Sequence, residues 1–145
     1  NWLAAEIEGM RCLDLFAGTG ALGIEALSRG AQRVTFVEPS KLLVPPLRSQ
    51  LENLGACGTV VQTTAAQFLA ATDEQFDVVF ADPPFGVDTR GVWKSIAAIL
   101  RSNGTLYCER DAAVGLPELE WGSWQRSSKA GDVAFGLARK HDATD

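Results

Sequence analysis

The sequence predicts an α/β fold, a mostly parallel sheet with helices on both faces and an antiparallel hairpin at its C-terminal end. Three observations carry this reading. Apolar strand-like runs alternate with helical patterns from Arg11 to Glu109. A glycine-rich turn joins the first strand to the first helix. The last two strand-like runs follow one another with no helix between them, which puts an antiparallel strand into an otherwise parallel sheet.

The elements follow in order. Arg11 to Phe16 (RCLDLF) reads as the first strand, and a helix runs from about Gly20 to Arg29, stopped by Gly30. Val34 to Glu38 (VTFVE) is the second strand. Pro45-Pro46 marks the start of the next helix, because proline is tolerated in a first turn, and Leu47, Leu51 and Leu54 share one face of it. Thr59 to Gln62 is a third strand and Ala65 to Ala71 a short helix. Phe76 to Ala81 (FDVVFA), apolar at nearly every position, reads as a strand buried on both faces. A helix is expected near Gly91 to Leu100, ended by Asn103-Gly104, before a fifth strand, Thr105 to Glu109 (TLYCE). Trp121 to Ser127 and Asp132 to Ala138 form the hairpin around a Lys129-Ala130-Gly131 turn. Asn1-Trp2-Leu3 reads as the middle or end of a helix without an N-cap, so further residues are expected to precede it, and only the last few residues read as disordered.

At 145 residues the chain makes one domain, 1–145, with enough length to bury a core. No apolar run approaches the roughly 20 residues of a membrane span, and no basic-then-apolar leader opens the chain, so a cytoplasmic protein is expected. Cys12, Cys57 and Cys108 have neither metal spacing nor a disulfide framework, and the single His141 lies in a polar tail. Structural metal and histidine catalysis are set aside. The net charge of −5 argues by itself against a nucleic-acid partner, because phosphate contacts need basic surface.

Gly18-Thr19-Gly20-Ala21-Leu22-Gly23 matches G-x-G-x-x-G between a strand and a helix. Glycines there allow a tight turn and close approach of a ligand to the backbone. Glu38 ends the next strand, where an acid accepts hydrogen bonds from ribose hydroxyls. A nucleoside-containing cofactor follows. A dinucleotide would bring an anionic pyrophosphate to the helix N-terminus, and Asp14, just before the turn, would repel it. S-adenosylmethionine carries a sulfonium, an ammonium and no phosphate, so Asp14 favours it. After the third strand, Thr63-Thr64-Ala65-Ala66 supplies mainly backbone groups for an adenine.

Asp82-Pro83-Pro84-Phe85 follows the fourth strand, beyond whose carboxyl end ligands bind in a doubly wound sheet. These residues suit methylation of an exocyclic amine on a flat ring. The lone pair of such a nitrogen is delocalised, so acceptors that hold its N–H bonds must orient it. The Asp82 carboxylate and the Pro83 carbonyl can do so, with the double proline stiffening both. Phe85 can stack on the ring, and the carboxylate stabilises developing positive charge. A bare strand terminator is the plainer alternative.

DLFAGTGALGIEALSRGA, VTFVEPS and FDVVFADPPF together resemble the bacterial RsmD-like family of 16S rRNA guanine-N2 methyltransferases, and the hairpin WQRSSKAGDVAFGLAR is similar as well. The resemblance implies a Rossmann-like class I methyltransferase with a seven-stranded sheet, S-adenosylmethionine as cofactor, and 16S rRNA in an assembling small subunit as partner. A monomer is expected. The resemblance also implies that Asp14, Gly18 and Gly20 line the methionine end of the cofactor and that Glu38 holds its ribose, with Phe16, Ala17, Pro39 and Ala65 completing the set. Asp82, Pro83 and Phe85 would hold a flipped-out guanine. The family's basic N-terminal hairpin ends in a helix whose last residues resemble Asn1-Trp2-Leu3. Such an arm ahead of this sequence would reconcile the charge of −5 with RNA binding. Arg90, Lys94, Arg126 and Lys129 are either phosphate contacts or solvated surface charge.

Other readings stay open at this point. Adenine N6 and protein glutamine amides also present a conjugated NH2, although relatives acting on them more often carry Asn, and Tyr or Trp, at the Asp82 and Phe85 positions. An NAD-dependent oxidoreductase leaves Asp14 and the DPPF loop unexplained. A non-catalytic S-adenosylmethionine-binding module explains the glycine turn alone.

Overall fold

The computed structural model describes residues 6–142, so the expectations for Asn1-Trp2-Leu3 and for the last residues lie outside the described part. Strands and helices alternate as β1 (Arg11–Asp14), α1 (Ala21–Ser28), β2 (Arg33–Val37), α2 (Val44–Leu54), β3 (Gly58–Val61), α3 (Ala65–Ala71), β4 (Phe76–Ala81), α4 (Val92–Ile99) and β5 (Leu100–Asp111). The hairpin β6 (Gly122–Ala130) and β7 (Val133–Lys140) completes one seven-stranded sheet in the order β3-β2-β1-β4-β5-β7-β6. The first five strands pair in parallel and β7 lies antiparallel to both β5 and β6.

Side chains alternate across a strand, so a sheet covered on both faces needs two cores. Cys12, Val34, Phe36, Val78 and Phe80 point to one face, where Ala26 of α1 and Val44, Leu47 and Leu51 of α2 cover them. Leu13, Val37, Val79, Ala81 and Leu106 point to the other, under Ala65 of α3 and Val92, Ile96 and Ile99 of α4. Cys12 and Cys108 are wholly buried in these layers, and burial pushes both thiols up to about 12, so they serve as small hydrophobes.

Three local expectations are corrected. Helix α4 ends at Ile99, and Asn103-Gly104 lies within β5 instead of stopping a helix. Val78 pairs with Thr105 while Phe76 pairs with Leu100, so β5 bulges between these points, and Asn103 takes the left-handed φ of 63° there. The hairpin turn is Gly131-Asp132, since Ala130 already pairs with Val133. Leu54 is 58% exposed and does not join Leu47 and Leu51, because α2 closes at once on Gly55. The long β5–β6 connection is tied down by two indoles: Trp121 Nε1 donates to the Trp93 carbonyl (2.8 Å) and Trp124 Nε1 to the Pro117 carbonyl (3.0 Å).

Candidate active site

The chain order reverses between β1 and β4, which are neighbours in the sheet, so a crevice opens at their carboxyl ends. A cavity of about 700 Å3 occupies it, and Asp14, Gly18, Glu38, Ala65, Asp82 and Pro84 are among its lining residues. Elements far apart in sequence thus bring both parts of the expected site to one place. Phe16, Ala17 and Pro39 line the same cavity.

The glycine turn has a separate reason for each glycine. A Cβ on Gly18, at φ 57°, would meet no atom within 4 Å; its open side leaves room for a ligand. Gly20 caps α1 in the left-handed region (φ 87°), and a Cβ there would run into the Leu47 side chain. Gly23 lets α1 lie directly on Phe36 of β2, with the ring's Cζ only 2.7 Å from where a Cβ would stand.

Asp14 is 1% exposed, and its Oδ2 accepts the Gly23 N–H at 3.1 Å. Its Oδ1 is buried without a hydrogen-bond partner. Desolvation raises the carboxyl to about 7 against the opposing Gly23 hydrogen bond, and the charges of Asp82 and Glu38 push the same way. A donor, and best a cation, is what this oxygen lacks. Glu38 has a task that sequence reasoning missed. Its Oε1 accepts the Gly18 N–H (2.7 Å) and its Oε2 the Ser40 N–H (2.9 Å), tying the loops after β1 and β2 together. A carboxylate accepts about four hydrogen bonds, so capacity for ribose hydroxyls is left. Thr64 also lines the cavity, but its side chain is engaged at the start of α3, accepting the Gln67 N–H at 3.2 Å. What this stretch leaves for a ligand is apolar and backbone surface.

Asp82 follows the last residue of β4, and desolvation, then the charge of Glu109, raise its carboxyl to about 6. Pro84 lines the cavity, whereas Pro83 is half-buried outside its lining. Phe85 stands 92% exposed in a turn closed by the Val87 N–H to the Pro84 carbonyl (3.3 Å). Phe85 is not among the residues that line the cavity; a solvent-facing aromatic three residues on from Asp82 is suited to stacking on a ring that arrives from outside.

The basic residues divide. Arg90 is held by Asp88 at 2.9 Å, while Lys94 and Lys129 are exposed. Two further residues went unnoticed in the sequence: Glu109 and Tyr107 near the end of β5, with the Tyr107 hydroxyl donating to Glu109 Oε1 at 2.7 Å. The signal was present in TLYCE, an acid near the end of a strand parallel to the one that leads into Asp82.

With this geometry the comparisons with known proteins agree. The family described as conserved hypothetical protein 95 matches residues 1–138. Ribosomal RNA small subunit methyltransferase D of Escherichia coli K12 is 39% identical over 149 aligned positions, 97% of this chain and 73% of that protein. The solved structure of the Escherichia coli protein yhhF superposes with a TM-score of 0.87 at 36% identity, over 97% of this chain and 82% of that one. At 23% identity and a TM-score of 0.73, over 96% of this chain and 42% of that one, a 16S rRNA N2 G1207 methyltransferase of T. thermophilus, solved with AdoMet and guanosine, shares the fold. The sheet order, the glycine turn on its switch point and these matches together make the chain a member of the conserved hypothetical protein 95 family, the family of ribosomal RNA small subunit methyltransferase D, with a class I methyltransferase fold.

Proposed function

We propose that the protein transfers a methyl group from S-adenosylmethionine to the exocyclic N2 amine of a guanine in small-subunit (16S) ribosomal RNA. One observation carries the reading: a single cavity is lined both by Asp14, whose Oδ1 is buried without a partner, and by Asp82, which opens the double proline. The first suits an ammonium, the second an amine. The cavity's chemistry fits the cofactor: Asp14 offers a bare acceptor to its amino group, Glu38 has spare acceptor capacity for its ribose, and the buried Ala65 lies along the wall for its adenine. When bound, S-adenosylmethionine supplies an electrophilic methyl group on a sulfonium.

The chain's own residues then do the following. Asp82 and the Pro83 carbonyl accept from the amine N–H bonds and set the nitrogen's direction. Phe85 stacks on the base, which has to leave its helix to arrive there. The Asp82 carboxylate faces the positive charge that develops on the nitrogen. That the substrate is small-subunit ribosomal RNA is supported by the name of the curated relatives.

The test is methyl transfer from labelled S-adenosylmethionine to undermethylated small subunits, followed by identification of the labelled nucleoside, with Asp82→Ala as control. N2-methylguanosine that vanishes in the control is expected. Label on adenine or on protein would overturn the guanine reading, and cofactor binding without transfer to any acceptor would overturn the enzymatic one.

A further inference from the structure

We infer that Glu109, oriented by the Tyr107 hydroxyl, accepts the ring N1–H of the target guanine and is a specificity-determining residue of this site. The inference rests on the guanine-N2 reading above. Strands β4 and β5 run parallel, with Phe80 beside Tyr107 and Ala81 beside Cys108. The rings of Phe80 and Tyr107 meet edge-on, 6.2 Å apart, so both point to the same face. Side chains repeat with period two along a strand, so Asp82 and Glu109, two residues further on, leave the sheet side by side on that face. Their charges are close enough that Glu109 contributes to the raised carboxyl of Asp82.

Glu109 is half-buried, and its Oε1 is occupied by the Tyr107 hydroxyl at 2.7 Å. Its Oε2 has no hydrogen-bond partner among the described residues. Two neighbouring carboxylates repel, and a ligand edge with two adjacent donors relieves that repulsion. Glu109 is not itself a lining residue of the cavity that Asp82 lines; that cavity is also short of donors, since Asp14, another of its lining residues, has an Oδ1 buried without a partner. Guanine presents such an edge, with its N1–H next to its N2 amine. Adenine places a ring acceptor beside N6, and a glutamine amide places its carbonyl beside the NH2. Either would turn a lone pair toward Glu109 and leave it unpaired. Asp82 therefore selects for an amine, and Glu109 for guanine among amines.

The test compares guanine with 2-aminopurine, which keeps the exocyclic amine but has an acceptor at N1. Once the methylated guanine has been mapped with the wild-type protein, small subunits are assembled on ribosomal RNA carrying 2-aminopurine at that one position. In Glu109→Gln the Tyr107 hydroxyl holds the amide oxygen, and the NH2 takes the place of Oε2. The guanine to 2-aminopurine ratio of kcat/KM is expected to narrow by about 5- to 150-fold, the range of one base-edge hydrogen-bond pair. Affinity for S-adenosylmethionine should not change. Tyr107→Phe, which only frees Glu109 to turn, should narrow the ratio in the same direction by less. A ratio that is unchanged in both variants, with the two rates falling in proportion, would overturn the role of Glu109 and leave it structural. Absence of N2-methylguanosine with the wild-type protein would instead overturn the underlying reading of the function, and this inference with it.

Discussion

Asp14→Asn should make the ligand-free protein more stable while weakening its hold on the cofactor. Asp14 is 1% exposed, has one oxygen without a partner, and has its carboxyl raised from 3.8 to about 7, first by desolvation. A raised folded-state value means that the neutral form is favoured on folding. The stability is fully present below the unfolded value and is lost as pH rises through the folded one. The resulting cost to the wild-type protein is on the order of 1–2 kcal/mol at about pH 5 and roughly 4 kcal/mol at about pH 8. Asn keeps an acceptor for the Gly23 N–H and carries no charge to desolvate. Urea unfolding of ligand-free protein should therefore show the stability gain of the variant growing by about 2–3 kcal/mol between those two pH values. Calorimetric titration with S-adenosylmethionine should show a loss of about 10- to 150-fold, the worth of a hydrogen bond to a charged group. A gain that does not depend on pH, or an undiminished affinity, would refute the assignment of this oxygen to a bound cation.

The other expectations follow from the same geometry. Gly23→Ala drives a methyl group into the Phe36 ring, so denaturant unfolding should show a loss of about 1–3 kcal/mol. Phe85→Ala, at a position 92% exposed, should leave stability within about 0.5 kcal/mol, while methyl transfer falls about 5- to 150-fold through the lost stacking. Because the Asp82 carboxyl is raised to about 6 and acts as an acceptor when ionised, kcat/KM should fall as pH drops through about 6. Asp82→Asn should flatten that limb of the profile, and a limb that persists would assign it to another group.

What the sequence determined by itself is whatever local chemistry signals. Strand and helix order follow from hydrophobic period, as in FDVVFA against the Leu47–Leu51 face of α2. The glycine turn follows from Gly20 and Gly23, where a Cβ would meet Leu47 and Phe36, and from Gly18, which takes a left-handed φ. Asp82-Pro83-Pro84-Phe85 stands out because two prolines rule out continuation of a central strand. Only the tertiary structure decided matters of register and of non-local partnership. Asn103-Gly104 looks like a helix stop, yet the pairing of β5 with β4 makes it a bulge, because the left-handed φ that Asn tolerates serves either purpose. Glu38 reads as a ribose acceptor, and folding also gives it the Gly18 and Ser40 amides, since loops from two strands converge on it. Above all, the neighbours of Asp82 are not adjacent in the chain: parallel pairing sets Glu109 beside it and burial leaves Asp14 Oδ1 bare. A carboxylate's partners and solvation depend on which strand ends share an edge of the sheet, and that is fixed by packing across the whole core.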